Sequence, residues 1–371
     1  MITTLKNVST RDKKNGGKYL LVTLNTTPAV SGPVWDYKEE FAQLAPGSIV
    51  AATWTTSMYN GKEQAKFTEF RLATPEEKAA NMATLQAANT SATDSSSMYT
   101  KAMNIIASIE DADYRRLCDT VYKKYAKPLC SYPAAKSVHH NYVGGLLEHS
   151  LTMAETAIAI YPIYKDVPIN RSLIVTGCLL HDIAKIYEFT VGGDMGLVTD
   201  YSTEGVLLGH LYMGAKMISN ICQELQIPHN KTVMLEHLII SHHGEPEWGA
   251  IKKPSMAEAI LLHYIDMINA NMKTCEQEYA DIPEGKLGEK ASFALGTRIY
   301  HPVSTPVPTA APSQEIPQPT PTMVQPAVSP MAPPVQEQVI PTPVMEEPPQ
   351  IPPYESAANY MENSGDFSSL F

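Results

Sequence analysis

Histidine and aspartate recur in this sequence beside apolar runs. The run Leu173–Lys185 reads as a buried helix that ends by presenting His181 and Asp182 side by side. Upstream stands His149, in Gly144-Gly-Leu-Leu-Glu-His149; downstream come His210, the pair His242-His243, and then His263 and Asp266. These residues span 118 positions, from 149 to 266, yet each sits on or beside an apolar helical run. A metal site built inside a helical bundle leaves that imprint.

Carboxylate and neutral imidazole together are ligands for borderline metals, so the mixture points to Mn, Fe, Co or Zn rather than Mg or Ca. An adjacent His-Asp pair cannot clamp a metal alone and needs partners from other helices. His149 and Asp266 would complete a set with His181 and Asp182, and His210 and His242 would hold a second ion with Asp182 as the bridging carboxylate. Two ions about 3.5–4 Å apart suit in-line attack on a phosphodiester. Lys185, one turn after His181, would face the same mouth and contact a phosphate oxygen.

Duller readings stand beside these. A His-Asp dipeptide arises by chance in a chain of 371 residues, and a histidine on an apolar helix is more often a core residue than a ligand. His229 and His301 receive no role, and His237 is read as structural. His139 and His140, before a Gly-Gly turn, are candidates to line the cleft. His263 shares a helical face with Asp266 and is read as its supporting neighbour. Trp248, just after the histidine pair, is a candidate to stack on a terminal base.

The elements that must position these residues divide the chain into four. Residues 1–74 alternate in a β-like way, with strand candidates at Lys18–Asn25, Ala29–Trp35, Ser48–Met58 and Lys62–Leu72. Asn60-Gly61 is the best hairpin signal among them. A small barrel of the OB-fold kind is the economical reading, with Trp35, Trp54 and Tyr59 as base-stacking candidates and Lys62 beside them. The competing reading is that such aromatics are barrel core. Residues 75–97 form a polar linker. Residues 98–296 read as an all-α domain, with helices near 98–125, 146–161, 172–187, 205–226, 231–242 and 256–275. One β-hairpin interrupts it at Tyr187–Tyr201, around Gly192-Gly-Asp-Met-Gly196. Residues 297–371 read as a disordered, acidic, proline-rich tail: 17 of the 29 prolines lie beyond residue 301. Its Gly-Asp-Phe-Ser-Ser-Leu-Phe end is a candidate docking peptide for a protein partner.

The net charge of −11 is unevenly spread. Residues 1–74 carry nine basic and six acidic side chains, or +3, whereas 302–371 carry seven acidic and no basic ones. A nucleic acid would therefore be met locally, by the N-terminal module and by metal ions. The five cysteines show no close pairing and read as reduced core thiols. No secretory h-region opens the chain and no apolar run approaches the length of a membrane span, so a cytoplasmic protein is expected. A homo-oligomer is expected too.

The order His…His-Asp…His…His-His…Asp resembles the HD-domain metal-dependent phosphohydrolases. More narrowly, His139-His-Asn-Tyr-Val-Gly-Gly-Leu-Leu-Glu-His149, Leu179-Leu-His-Asp-Ile-Ala-Lys185, Glu204-Gly-Val-Leu-Leu-Gly-His210, Ser241-His-His-Gly-Glu-Pro-Glu-Trp-Gly249 and Leu262-His-Tyr-Ile-Asp266 resemble the YhaM-type 3′–5′ exoribonucleases. Those pair an OB-fold with an HD domain. The resemblance implies single-stranded RNA as substrate, with DNA as the alternative, and two divalent ions with Mn²⁺ foremost. It makes His149, His181, Asp182, His210, His242 and Asp266 the ligands, His243 the next in line, and Lys185 the phosphate contact. Ala184 stands where the family usually has Gly. The expected activity is release of nucleoside 5′-monophosphates from a 3′ end. Its rivals are a phosphohydrolase of free or cyclic nucleotides and a single-strand-binding adaptor of replication or repair machinery.

Overall fold

The computed structural model describes residues 1–303, apart from 60–61, 91–92 and 137–139 and the side chains of 59, 62 and 63. The Asn60-Gly61 turn, His139 and the docking peptide fall outside the described residues.

Five strands open the chain: β1 Ile2–Asp12, β2 Lys18–Leu24, β3 Val30–Val34, β4 Ile49–Tyr59 and β5 Lys62–Leu72. They form an antiparallel sheet in the order β3-β2-β1-β4-β5. The two outer strands meet, with Gly32 of β3 lying directly on the Ala65 carbonyl of β5, where a Cβ has no room. The order around the barrel is thus β1-β2-β3-β5-β4, the winding of an OB-like barrel. Its core is Leu5, Leu20, Val22, Leu24, Phe41, Val50 and Phe70. Trp54 packs on that core, edge-on to Phe67 at 6.3 Å, so for this residue the core reading holds. Trp35 stays exposed and stacks on Tyr19 at 4.7 Å.

Helices follow. α1 Pro75–Ala88 starts on a reciprocal cap between Thr74 and Glu77, so the expected linker is largely helical. The single helix expected over 98–125 is two, α2 Ser95–Ala107 and α3 Ala112–Lys124. The break has a local cause: Asp111 accepts hydrogen bonds from the Asp113 and Tyr114 backbone N–H groups and starts a new helix. α4 Ala126–Ser131 and α5 Gly145–Ile160 come next. α6 Arg171–Leu180 ends earlier than expected; a tight turn then carries His181 and Asp182 into the short α7 Lys185–Glu188. The inserted hairpin is β6 Phe189–Gly192 with β7 Leu197–Tyr201. α8 Thr203–Glu224, α9 His229–Ser241 and α10 Ala257–Asp281 complete the bundle, and a short ribbon joins β8 Lys286–Leu287 to β9 Tyr300–His301. α6 runs through the centre, buried from Ser172 to Leu180, so ligands at its end emerge from the best-packed part of the fold. Among the described residues no helix is long and apolar enough to cross a membrane.

The described residues form one compact unit. The inserted hairpin bridges its two parts: the Ile49 backbone N–H donates to Asp194 Oδ2 at 2.8 Å, and Lys78 pairs with Asp194 Oδ1 at 2.8 Å. Met195 and Leu197 pack with Ile49, Ala73 and Leu85 in a separate small core.

Candidate metal centre

Six elements converge on one pocket of about 390 Å³. α5 brings His149, the end of α6 brings His181 and Asp182, α8 brings His210, the end of α9 brings His242 and His243, and α10 brings His263 and Asp266. The short α7 adds Lys185 and Glu188.

The histidines are held in a uniform way. Each uses Nδ1 on a fixed outer partner: Asn269 Oδ1 for His149 at 2.7 Å, the Cys178 carbonyl for His181 at 3.0 Å and the Ile239 carbonyl for His242 at 2.8 Å. His210 Nδ1 donates to Glu188 Oε1 at 2.9 Å, and His243 Nδ1 donates to the Trp248 carbonyl at 3.0 Å. A ring that donates from Nδ1 offers a lone pair at Nε2, the tautomer a metal ligand needs.

Those nitrogens and the carboxylate oxygens gather into three overlapping groups, His149–His181–Asp266, His210–His242–His243 and His181–Asp182–His242, the ligand atoms of each group lying within 4.8 Å of one another. Asp182 stands between the first two. Its Oδ2 is 3.3 Å from His181 Nε2 and 3.6 Å from His149 Nε2, while Oδ1 is 3.4 Å from His210 Nε2 and 3.6 Å from His242 Nε2. Asp182 Oδ1 and His210 Nε2 are both buried and make no hydrogen bond. A buried acceptor facing a buried ring nitrogen with no donor between them is costly unless a cation sits there. The donor set and this orphaned pair fit a divalent cation.

Charge agrees with this fit. Burial works against the ionised forms of Asp182 and Asp266. Lys185 and His181 nevertheless hold Asp182 well below the usual carboxylate range, and His149 does the same for Asp266. Burial, reinforced by His181 and His243, pushes His242 well down; burial with His210 takes His243 to about 4. His181 is the exception: burial opposes its charge, but the Asp182 carboxylate prevails and raises it. Anionic carboxylates such as Asp182 and Asp266, and neutral imidazoles such as those of His242 and His243, are the ligand forms that metals bind at neutral pH.

A backbone device aims His210. Within α8, Gly209 adopts φ 68 and ψ 156, which breaks the helical ladder. The freed His210 N–H donates to Glu188 Oε1 at 3.0 Å, the same oxygen that accepts from its ring. Sequence reasoning missed Glu188, and nothing in its surroundings announces it. It also missed Asn269, whose signal is faint: it lies three residues after Asp266, on the same helical face.

The remaining candidates are placed as follows. Lys185 Nζ lies 2.6 Å from Asp182 Oδ2 and lines the pocket, so it both holds the carboxylate and faces the cavity. His263 Nδ1 donates to the His242 carbonyl at 2.8 Å and fixes that turn. Trp248 is half-exposed at the rim and stacks on His263 at 6.0 Å. His140 is buried behind His149, rings 5.2 Å apart, and does not line the pocket. Trp35 is absent from the lining as well, and the side chains of Tyr59 and Lys62 lie outside the described residues.

Comparison with known proteins places this geometry. The HD domain family model matches residues 146–271, the stretch that supplies every ligand candidate above. A second model, TraI_2, whose description names a helicase, matches residues 84–168 and ends before His181. The chain therefore carries an HD domain, which implies dependence on a divalent metal, and the His and Asp clusters lie within it. Among curated proteins it is 32% identical to 3′-5′ exoribonuclease YhaM of Oceanobacillus iheyensis over 297 residues, covering 79% of this chain and 90% of that protein. The protein of that name from Bacillus subtilis is 31% identical over 289 residues, 77% of this chain and 89% of its own. The chain belongs to the YhaM-type family of HD-domain proteins. No solved structure matches it.

Proposed function

We propose that this chain is a metal-dependent 3′–5′ exoribonuclease that shortens single-stranded RNA and releases nucleoside 5′-monophosphates. The observation that carries the reading is Asp182. Its two oxygens face two separate imidazole groups in one open pocket, in a chain whose relatives bear the name 3′-5′ exoribonuclease. His149, His181 and Asp266 would hold one cation and His210, His242 and His243 the other, with Asp182 shared. The mixed nitrogen and oxygen set suits Mn²⁺, Fe, Co or Zn, and the resemblance to the YhaM-type family puts Mn²⁺ first, in a protein of the cytoplasm. Such a pair supplies Lewis acidity and lowers the pKa of water.

Around that chemistry the chain's own residues position the strand. Lys185 is placed to take a non-bridging phosphate oxygen. Trp248 offers an exposed face for the terminal base, and Phe189 and Tyr201 also line the pocket. The outer hydrogen bonds on Nδ1 keep each imidazole from turning as charge moves. In this reading residues 1–74 capture the strand, 75–97 connect, and 98–296 cut.

The test is direct. With Mn²⁺ and 5′-labelled single-stranded RNA, the wild type yields a ladder that shortens from the 3′ end, and Asp182→Ala lowers its rate at least about 100-fold. Intact RNA with both proteins overturns the proposal. Preferential turnover of mononucleotides moves the chain to the free-nucleotide phosphohydrolases.

A further inference from the structure

A second cleft of about 190 Å³ lies between the barrel and the helical part, and it has one residue in common with the metal pocket, Lys136. Lys6, Asn25 and Thr26 of the barrel form one wall; Asn141 and Gln277 contribute to the other. Resting on the nuclease reading above, we propose that this cleft is the subsite for nucleotides upstream of the scissile phosphate, with Lys136 as the joint through which the strand enters the metal pocket.

The chemistry of the lining is that of a strand-tracking groove. Lysines stand at the joint and on the barrel side, and amides and hydroxyls lie between them, with Asp281 the one carboxylate among the described lining residues. Lysines meet phosphates as point charges, and amide edges hydrogen-bond to unstacked bases. Lys136 is positioned for such an exchange. Its Nζ lies 3.0 Å from Asp200 Oδ1 and 5.5 Å from the Tyr201 ring, and the Asp200 side chain is 75% exposed. An ion pair this exposed holds weakly, so a phosphate can replace Asp200 at little cost. Tyr201 lines the metal pocket and is itself half-exposed, which puts an aromatic face beside the joint. By contrast Trp35, the residue that sequence reasoning put forward for base stacking, lines neither cavity.

The experiment uses the full chain and the double variant Lys6→Gln/Lys136→Gln, with Lys6→Glu alone as a second variant. Both alter side chains at the surface of the groove. Binding of a fluorescent oligoribonucleotide is titrated across salt concentrations in EDTA. Turnover with Mn²⁺ is then compared on an oligoribonucleotide and on a p-nitrophenyl ester of a single nucleoside 5′-monophosphate. Each lost phosphate contact removes about 0.7 from the slope of log affinity against log salt, so the double variant should bind with a slope shallower by about 1.4. Its kcat/KM ratio of oligomer to ester should fall about tenfold, and the Lys6→Glu ratio should fall with it. A wild-type slope and ratio in both variants overturn the subsite. A wild-type chain that cuts neither substrate overturns the nuclease reading instead, and the slope in EDTA still decides the cleft.

Discussion

Replacing Gly209 by Ala isolates the device that aims His210. Gly209 sits at φ 68 and ψ 156, in a region that only glycine occupies freely, and a Cβ there meets nothing within 4 Å. The cost is thus purely conformational, about 1–3 kcal/mol if the native backbone is kept. At roughly 2–4 °C per kcal/mol for a unit of this size class, the metal-free melting temperature drops by about 2–12 °C. The chain has one alternative, which is to let residue 209 become helical. Alanine would then gain about 0.5–1 kcal/mol over glycine in the helix. The His210 N–H would turn back towards the helical ladder, Glu188 would lose both bonds to His210, and metal affinity would fall about 10–100-fold. Calorimetry in EDTA and titration with Mn²⁺ separate the two routes. Gly196→Ala is the matched control: φ is 68 there too, with nothing within 4 Å, but the residue lies in the hairpin turn. It should lower the melting temperature and leave Mn²⁺ binding alone. If Gly209→Ala matches the wild type in both measurements, the argument that this kink places His210 is wrong.

Two further outcomes are expected. Glu188→Gln keeps the side chain's size but removes the carboxylate that takes both His210 N–H groups; Mn²⁺ affinity by calorimetry should fall about 10–100-fold, with a smaller change in melting temperature, and unaltered affinity would discard the role. Arg71, helped by the Thr74 backbone N–H, holds Glu77 down to about 2. A lowered carboxylate stabilises the fold above its ordinary range and loses that contribution as pH falls towards 2. Urea midpoints of wild type and Glu77→Gln should therefore differ at pH 7 and converge near pH 2; an equal gap at both would refute the pairing.

How much of this was legible depends on how restrictive each role is. Metal ligation admits few residue types, so the histidines and aspartates that converge on the pocket stood out against apolar helices. Their supports did not stand out. Cys178 and Ile239 act through backbone carbonyls, a role any residue fills, and Asn269 and Glu188 are ordinary helix-surface types. Strand β1 went unread because it lacks a hydrophobic alternation: Ile2-Thr-Thr-Leu-Lys-Asn-Val buries Thr3 and Thr4 as well as Leu5. Thr3 satisfies its hydroxyl on the Asn25 carbonyl and Thr4 bonds Asn89, partners that only the fold supplies. The break between α2 and α3 was hidden because the apolar period runs across it, and there one aspartate cap decides the boundary.

The inserted hairpin turns these separate details into one arrangement. An isolated two-stranded ribbon is marginal in water, so β6 and β7 owe their geometry to what grips each end. At the tip, Asp194 is bound by the Ile49 N–H and by Lys78, and Met195 and Leu197 are buried against the barrel and α1. At the root, Glu188 precedes β6 directly, accepts from the Ser202 backbone N–H at its carbonyl, and spends its carboxylate on His210. Phe189 and Tyr201, the first pair of the ladder, line the metal pocket. Side chains of one short ribbon and of Glu188 just before it thus fix the barrel, one wall of the pocket and a ligand candidate. The barrel contributes no ligand candidate, yet it anchors the hairpin that follows Glu188 directly, and this accounts for the barrel being docked on the helical part rather than tethered beside it.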